Sequence, residues 1–264
     1  MKIATWNVNG IRARQSQLFD WLAAEQPDIV CLQEIKASLD QLTFELRDME
    51  GYWSYWHGDK GYSGVAVLVK KSLVGALPIC SHPTFDFEQR IVCASVPLAP
   101  RSLGEGGSPA GDVMIASVYV PNGGKDFDAK MRFLEALESF VAEAERDQKL
   151  IILCGDLNVA LAERDIHPKL QKPNQIGARP EERALLARII SRGLVDVHRS
   201  FEPDNDNLFT WWAPWRNQKE RNIGWRIDYV LASKAIAERA ASATVQREIG
   251  SSDHGPVVVN FNFG

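Results

Sequence analysis

Apolar residues in this chain fall into short runs that alternate with amphipathic stretches, a pattern of strands separated by helices. Ile3–Val8, Ile29–Gln33, Gly64–Val69, Ile91–Val96 and Val113–Val120 have the length and Val/Ile content of strands. Leu150–Cys154 is continuously apolar and reads as a central strand buried on both faces. A helix is predicted over Ser16–Glu25, with Leu18, Phe19 and Leu22 on one face and Pro27 as its stop. Asp126 is placed to cap a longer helix reaching about Arg146, with Met131, Leu134, Leu137 and Val141 at helical spacing. Pro180 and Gly193 frame another helix, which turns Leu185, Leu186, Ile189 and Ile190 inward. Further strands are predicted around Leu208–Trp212, Arg226–Leu231, Ala243–Arg247 and Val257–Phe261. The Gly/Ser/Pro-rich stretch at 101–111 reads as an excursion at a hairpin tip. With no linker of that kind between larger blocks, one α/β domain over 1–264 is expected.

Polar residues suited to metal and phosphate chemistry recur where the apolar runs end. Asn7 follows IATW, Glu34 follows IVCLQ, Asp156 and Asn158 follow LIILCG, Asp228 lies in WRIDYVL, and Asp253 and His254 precede GPVVVNF. A single Asn or Asp after a strand is ordinarily a turn former. Five such places, supplying four carboxylates, two carboxamides and an imidazole, point instead to a site built on rigid strand ends.

Composition sets the class: 264 residues, 45% apolar and 24% charged, exclude disordered, collagenous and disulfide-scaffold proteins. The net charge of −4 argues against an anionic partner, but Arg164–Arg226 carries twelve Lys or Arg against eight Asp or Glu, a local +4. Removing Glu34, Asp156, Asp228 and Asp253 from the 34 acids leaves the remaining chain balanced against its 30 bases. Cys31, Cys80, Cys93 and Cys154 sit singly in apolar surroundings and read as buried, reduced thiols. No run approaches the ~18 apolar residues of a membrane span. The N-terminus turns polar after five residues, so the expected location is the cytoplasm.

WNVNGIR (6–12), LQE-x-K (32–36), YVPNGG (119–124), GDLNVA (155–160) with Asp165 and Ile166 close behind, GWRIDYVLAS (224–233) and SDH-x-P (252–256) stand in the order seen in the exonuclease III family of apurinic/apyrimidinic (AP) endonucleases. The resemblance runs from residue 2 to about 261. Asn7, Glu34, Asp156, Asn158, Asp253 and His254 resemble the wider endonuclease/exonuclease/phosphatase superfamily, whereas YVPNGG, the GWRIDY block and ARPEER (178–183) look specific to its DNA-repair branch. The resemblance implies a DNase I-like four-layered α/β sandwich, two packed mixed sheets flanked by helices. It also implies a Mg²⁺-dependent phosphodiesterase, with Mn²⁺ as substitute, that cuts double-stranded DNA 5′ to abasic sites and processes 3′ ends. A monomer with no membrane association is expected.

Phosphodiester cleavage needs charge neutralisation, an aligned water and support for the leaving oxygen. Glu34 is the strongest candidate ligand for a hard cation, with Asn7 and Asp253 as auxiliaries and Asp156, Asn158 and His254 as a possible second metal site. Asp156 and Asn158 are equally candidates to orient and deprotonate water. Adjacent residues on an extended chain point opposite ways, so Asp228 rather than Asp253 is the candidate to orient His254. Asp156 and the His254/Asp228 pair both remain open as general base. The resemblance assigns Tyr119 to the scissile phosphate and Arg12, Arg90, Asn122 and Lys125 to phosphate contacts; Lys125 stands where some family members have Arg. In TWWAPWRNQKERNIGWR, Trp211 and Trp225 are expected to line a pocket for a flipped abasic sugar, and Trp215 with Arg216 to meet DNA from a loop. Alternation allows only one of Trp211 and Trp212 to face the site. His57, His82, His167 and His198 lack comparable context and read as structural. Two alternatives stand beside this reading: a superfamily hydrolase of inositol phosphates or phospholipids, and a non-catalytic DNA-binding module.

Overall fold

A computed structural model of the chain describes residues 1–97 and 112–263, so the excursion expected at 101–111 lies outside the described residues. In chain order the elements are β1 (Lys2–Asn7), α1 (Ile11–Glu25), β2 (Ile29–Gln33), α2 (Phe44–Arg47), β3 (Tyr52–Asp59), β4 (Tyr62–Lys70), β5 (Ile79–Ser81), β6 (Ile91–Pro97), β7 (Asp112–Tyr119), α3 (Phe127–Arg146), β8 (Leu150–Asp156), α4 (Pro180–Ser191), β9 (Leu194–Asp196), α5 (Val197–Phe201), β10 (Asp228–Ser233), α6 (Lys234–Ala237), β11 (Ala240–Val245) and β12 (Val257–Phe261). They form two six-stranded mixed sheets, ordered β11-β12-β1-β2-β4-β3 and β5-β6-β7-β8-β10-β9.

The period of two along each strand builds the layers. Ile3, Ile29, Cys31, Ile115, Ile152, Cys154 and Val230 point between the sheets and form the central core. Their neighbours point outward: Ala4, Val30 and Leu32 pack with Leu18, Trp21 and Leu22 of α1, and Ile151, Leu153 and Leu231 pack with Leu134, Leu137, Leu186 and Ile189 of α3 and α4. The result is a four-layered α/β sandwich. Each fully buried Leu or Ile contributes about 1.5–3 kcal/mol, which lets the sandwich carry a rim of buried polar groups. Among the described residues no helix is long and apolar enough to cross a membrane.

Several expected boundaries move. α1 begins at Ile11, because Gly10, at φ 102°, turns the chain directly into the helix. α3 starts where expected, with the Asp126 carboxylate accepting from the Ala129 amide at 2.8 Å. No strand forms over Leu208–Trp212; Trp211 makes only single bridges to Trp225 and His254. β10 starts at Asp228 rather than Arg226, because the Arg226 amide donates to the Asp165 carbonyl at 2.8 Å, outside the sheet. β11 lies three residues before its expected start, with a bulge between Ala240 and Ser242. β3, β5 and β9 were not expected; the last two have only three residues each, too few for periodicity to register. The four cysteines are free, and Cys80 is half-buried rather than buried.

Candidate active site

Sheet topology gathers the polar strand ends at one edge. β1 and β2 run parallel with Asn7 opposite Gln33, and β7 and β8 run parallel with Tyr119 opposite Asp156. β10 runs antiparallel to β8 with Asp228 opposite Asp156, and β12 runs antiparallel to β1, so His254 arrives at the same edge just before β12. Close approach of β7 and β8 requires Gly155: a Cβ there would lie 1.9 Å from the Val118 carbonyl oxygen. Asn9, Glu34, Lys36 and Asn158 all turn their chains at positive φ, between 46° and 52°. Such backbone is costly for Glu and Lys and persists where surrounding contacts over-determine it. Here the amides of Gly10 and Lys36 bond the Glu34 and Ser63 carbonyls at 2.7 and 2.9 Å.

Asn7, fully buried, donates from its carboxamide to Glu34 Oε1 and Asp156 Oδ2, both at 2.9 Å. Its oxygen accepts from the Asn9 amide at 3.0 Å. Asn7 therefore presents donors, not an oxygen ligand, to the two carboxylates. Asn9 extends the chain of bonds, donating to Asp253 Oδ1 at 2.8 Å and accepting from Lys36 Nζ at 2.6 Å, while Lys36 also pairs with Glu34 Oε2 at 2.7 Å. Asp253's other oxygen accepts from Trp211 Nε1 at 3.0 Å. Asp253 thus lines the pocket wall without joining the central group. That group is Glu34, Asp156 and His254, whose ligand atoms lie within 4.8 Å of one another.

His254 Nδ1 meets Asp228 Oδ2 at 2.9 Å, and Thr210 Oγ1 donates to the same oxygen at 2.6 Å. Nε2 is left facing Asp156 Oδ2 at 3.8 Å. Burial opposes a charged imidazole, but Asp228, then Asp156 and Asp253, push its pKa up to about 10. Asp156 rises to about 8, because burial and the negative charge of Asp228 and Glu34 outweigh His254 and the Asn7 bond. Burial also works against charge on Glu34, yet the Asn7 and Lys36 hydrogen bonds hold it below the ordinary carboxylate range. Tyr119, buried beside Glu34 and Asp156, is pushed well above the usual phenol range, so its hydroxyl is a proton donor. Carboxylate crowding of this kind, with oxygen donors converging, fits a hard divalent cation. Glu34 and Asp156 are the residues that could hold it.

Asn158 donates to the Val120 carbonyl at 2.9 Å and to Asp156 Oδ2 at 3.3 Å, and its oxygen accepts from Asn122 at 3.3 Å. Tyr119, Asn122, Trp211 and Trp225 line a pocket of about 430 Å³ above the polar group, closed by Ile176, Gly177 and Ile227. The two indoles stand edge to face with centroids 6.4 Å apart, and Trp212, 1% exposed, points into the interior. Gly224 permits this pairing, since a Cβ there would lie 2.3 Å from the Trp211 carbonyl oxygen.

The remaining DNA-contact candidates divide. Arg12, Lys125 and Arg216 are exposed outside the pocket lining, and Trp215 is 58% exposed. Arg90 is 1% exposed; its guanidinium lies 4.8 Å from the Tyr119 ring and bonds Glu88 at 2.6 Å, so it supports Tyr119 from beneath rather than offering a free fork. Arg226 is likewise engaged internally, at 2.7 Å from both Asp165 and Asp196. Lys219 donates to the Ser252 carbonyl at 2.9 Å, tying its loop to the His254 segment. Asn9, Thr210, Ile176, Gly177 and Ile227 were not singled out in the sequence; Asn9 within WNVNGIR, Thr210 at the head of TWWAPWR and Ile227 within GWRIDYVLAS lie in motifs that could have found them, whereas Ile176 and Gly177 do not.

The endonuclease/exonuclease/phosphatase family model matches residues 4–254. The chain is 34% identical to an exodeoxyribonuclease of Bacillus subtilis over 99% of this chain and all of that one, and 31% identical to the DNA repair nuclease APEX1 of Danio rerio over 98% of this chain and 81% of that one. Among solved structures it is similar to the 3′-5′ exonuclease NExo of Neisseria meningitidis (TM-score 0.84, 29% identity, 99% and 100% of the two chains) and to an AP endonuclease of Archaeoglobus fulgidus (TM-score 0.82, 28% identity, 99% of each). A Neisseria relative, a 3′ phosphatase, carries a product DNA hairpin. Strand-end chemistry, a four-layered sandwich and these likenesses together assign the chain to the endonuclease/exonuclease/phosphatase family, as an enzyme of its exonuclease III-like nuclease branch.

Proposed function

We propose that this chain is a Mg²⁺-dependent DNA phosphodiesterase of base-excision repair, cutting double-stranded DNA 5′ to abasic sites, with 3′-to-5′ exonuclease and 3′-end-processing activity. The observation that carries this reading is the convergence of Glu34, Asp156 and His254 within 4.8 Å, beneath a pocket walled by Trp211 and Trp225. A carboxylate-rich floor suits phosphodiester chemistry, and an aromatic-walled pocket suits a base-free sugar. Free thiols agree with action in the cytoplasm, and the working form is taken to be a monomer.

In this reading Glu34 would hold Mg²⁺, or Mn²⁺ in its place, and Asn7 fixes its carboxylate beside that of Asp156. When bound, the ion supplies charge neutralisation at the phosphate and at the departing oxygen. Asp156, with Asn158 beside it, orients the attacking water and accepts its proton. His254, kept charged by Asp228, steadies negative charge on the phosphate, as does the Tyr119 hydroxyl. Water adds to phosphorus as the P–O3′ bond breaks; the water's proton passes to Asp156, the departing O3′ takes a proton from solvent, and the products are a 3′-hydroxyl and a 5′-phosphate. Trp215, Arg216, Arg12 and Lys125 grip the flanking backbone from exposed positions, Asn122 contacts it from the pocket lining, and Arg90 acts through Tyr119.

The test is an end-labelled duplex carrying one internal tetrahydrofuran abasic analogue, beside an undamaged duplex, with Mg²⁺ or EDTA. One Mg²⁺-dependent cut at the analogue is expected. Ladders of equal rate on both duplexes would reduce the reading to exonuclease, and no cut on either would overturn it.

A further inference from the structure

ARPEER (178–183) stands out in the sequence and touches none of the reacting groups, yet its charged residues tie the pocket wall together. Glu182 and Lys130 form an ion pair at 2.5 Å, both fully buried. Lys130 also donates to the backbone carbonyl of Asn158 at 2.8 Å and to that of Asn122 at 3.3 Å. Glu182 accepts from the Gly177 amide with both oxygens, at 2.8 and 2.9 Å, and from the Arg179 amide at 2.9 Å at the start of α4. Arg183 donates to the Ala160 carbonyl at 2.9 Å, and the Arg179 guanidinium lies 4.3 Å from the Phe127 ring at the start of α3.

Asn122, Asn158 and Gly177 come from three separate loops, after β7, after β8 and before α4, and all three line the pocket. Gly177 is wedged between Trp225 and the Asn158 loop: a Cβ there would lie 3.1 Å from the Trp225 ring and 3.2 Å from the Asn158 carbonyl oxygen. One ammonium and one carboxylate therefore set how far apart these loops stand. A buried ion pair is weak evidence for stability, since desolvation offsets much of its attraction, and its attested use is to fix one geometry.

We infer that Lys130 and Glu182 are positioning residues for specificity: through Asn122, Asn158 and Gly177 they fix the width of the sugar pocket and so set discrimination between an abasic site and an intact nucleotide. This rests on the abasic-site reading above. Loss of the pair widens the pocket, admits a base-bearing nucleotide and loosens the fit of the bare sugar, while Glu34, Asp156, His254 and Asp228 keep their own contacts.

The experiment compares wild type, Glu182→Gln and the double variant Lys130→Met/Glu182→Leu, which leaves no unpaired buried charge should the single variant fold poorly. Each is assayed with Mg²⁺ for kcat and KM on the abasic-analogue duplex and on an undamaged duplex, with amide hydrogen exchange on the free protein. The expected result is a ratio of kcat/KM between the two duplexes lowered at least about tenfold, carried by KM, with faster exchange at Gly177 and Ala160 and unchanged exchange in β1, β2 and β8. A lowered melting temperature with an unchanged ratio would overturn the inference, as would a fall in kcat alone. Should wild type not cut the abasic duplex, the abasic-site reading fails by itself; Gly177 and Ala160 exchange then decides whether the pair holds the pocket wall, and unchanged exchange overturns it.

Discussion

Asp228 and His254 meet at 2.9 Å through Oδ2 and Nδ1, whereas Asp253, the immediate sequence neighbour of His254, turns away to Asn9 and Trp211. The chain bends through Ser251–Asp253, which turns the neighbours to different partners, and antiparallel β10 brings the distant carboxylate to the imidazole. A fixed imidazole with Nε2 toward Asp156 follows from that pairing.

Asp228→Asn keeps a hydrogen-bonding side chain beside Nδ1 but withdraws the negative charge that favours imidazolium. Turnover on DNA is expected to fall about 10²–10⁴-fold with KM little changed, measured by steady-state kinetics on the abasic-analogue duplex. A wild-type kcat would remove Asp228 from the reaction.

Glu34→Gln removes one of the two carboxylates that Asn7 bridges. Affinity for Mg²⁺ and for Mn²⁺, titrated calorimetrically, is expected to weaken at least about tenfold, with far-UV circular dichroism unchanged. Equal affinity in variant and wild type would place the ion elsewhere.

Much of the rim was legible because apolar runs stop at Asn7, Glu34 and Asp156 and another begins just after His254; Trp211 and Trp212 do face opposite sides, but no strand forms there, so the strand alternation expected of them is not the reason. Charge counting was less informative. Arg226 and Lys219 are among the twelve bases behind the local +4 of Arg164–Arg226, but Asp165 and Asp196 approach Arg226 from 61 and 30 residues away, and Lys219 is held by the carbonyls of Ile249, Gly250 and Ser252. Partners so distant leave no local pattern. The same holds for Gly177, whose role depends on Trp225 and on Glu182.

His198 supplies a stability prediction independent of the site. It is fully buried, neither ring nitrogen has a hydrogen-bond partner among the described residues, and burial, aided by Arg226 and Arg199, pushes its pKa down to about 3. The unfolded chain takes up this proton near pH 6.5 and the folded chain only near 3, so stability from a neutral His198 is full above 6.5 and is lost as pH falls from 6.5 toward 3. Between pH 7 and pH 5 the loss is about 2 kcal/mol. Because Asp156, raised to about 8, shifts stability the other way over the same interval, urea unfolding of wild type and His198→Leu at both pH values measures it as the difference between their two pH dependences; identical pH dependence in the two proteins would assign it to other groups.

Mapping the ends of the cut tests the central claim most directly. The duplex with a single abasic analogue is nicked in Mg²⁺ and then offered, without further treatment, to a DNA polymerase. The expected result is immediate primer extension from a 3′-hydroxyl on the 5′ side of the analogue. A nick on its 3′ side, or a 3′ end that needs prior phosphate removal, would contradict the mechanism assigned to Glu34, Asp156 and His254.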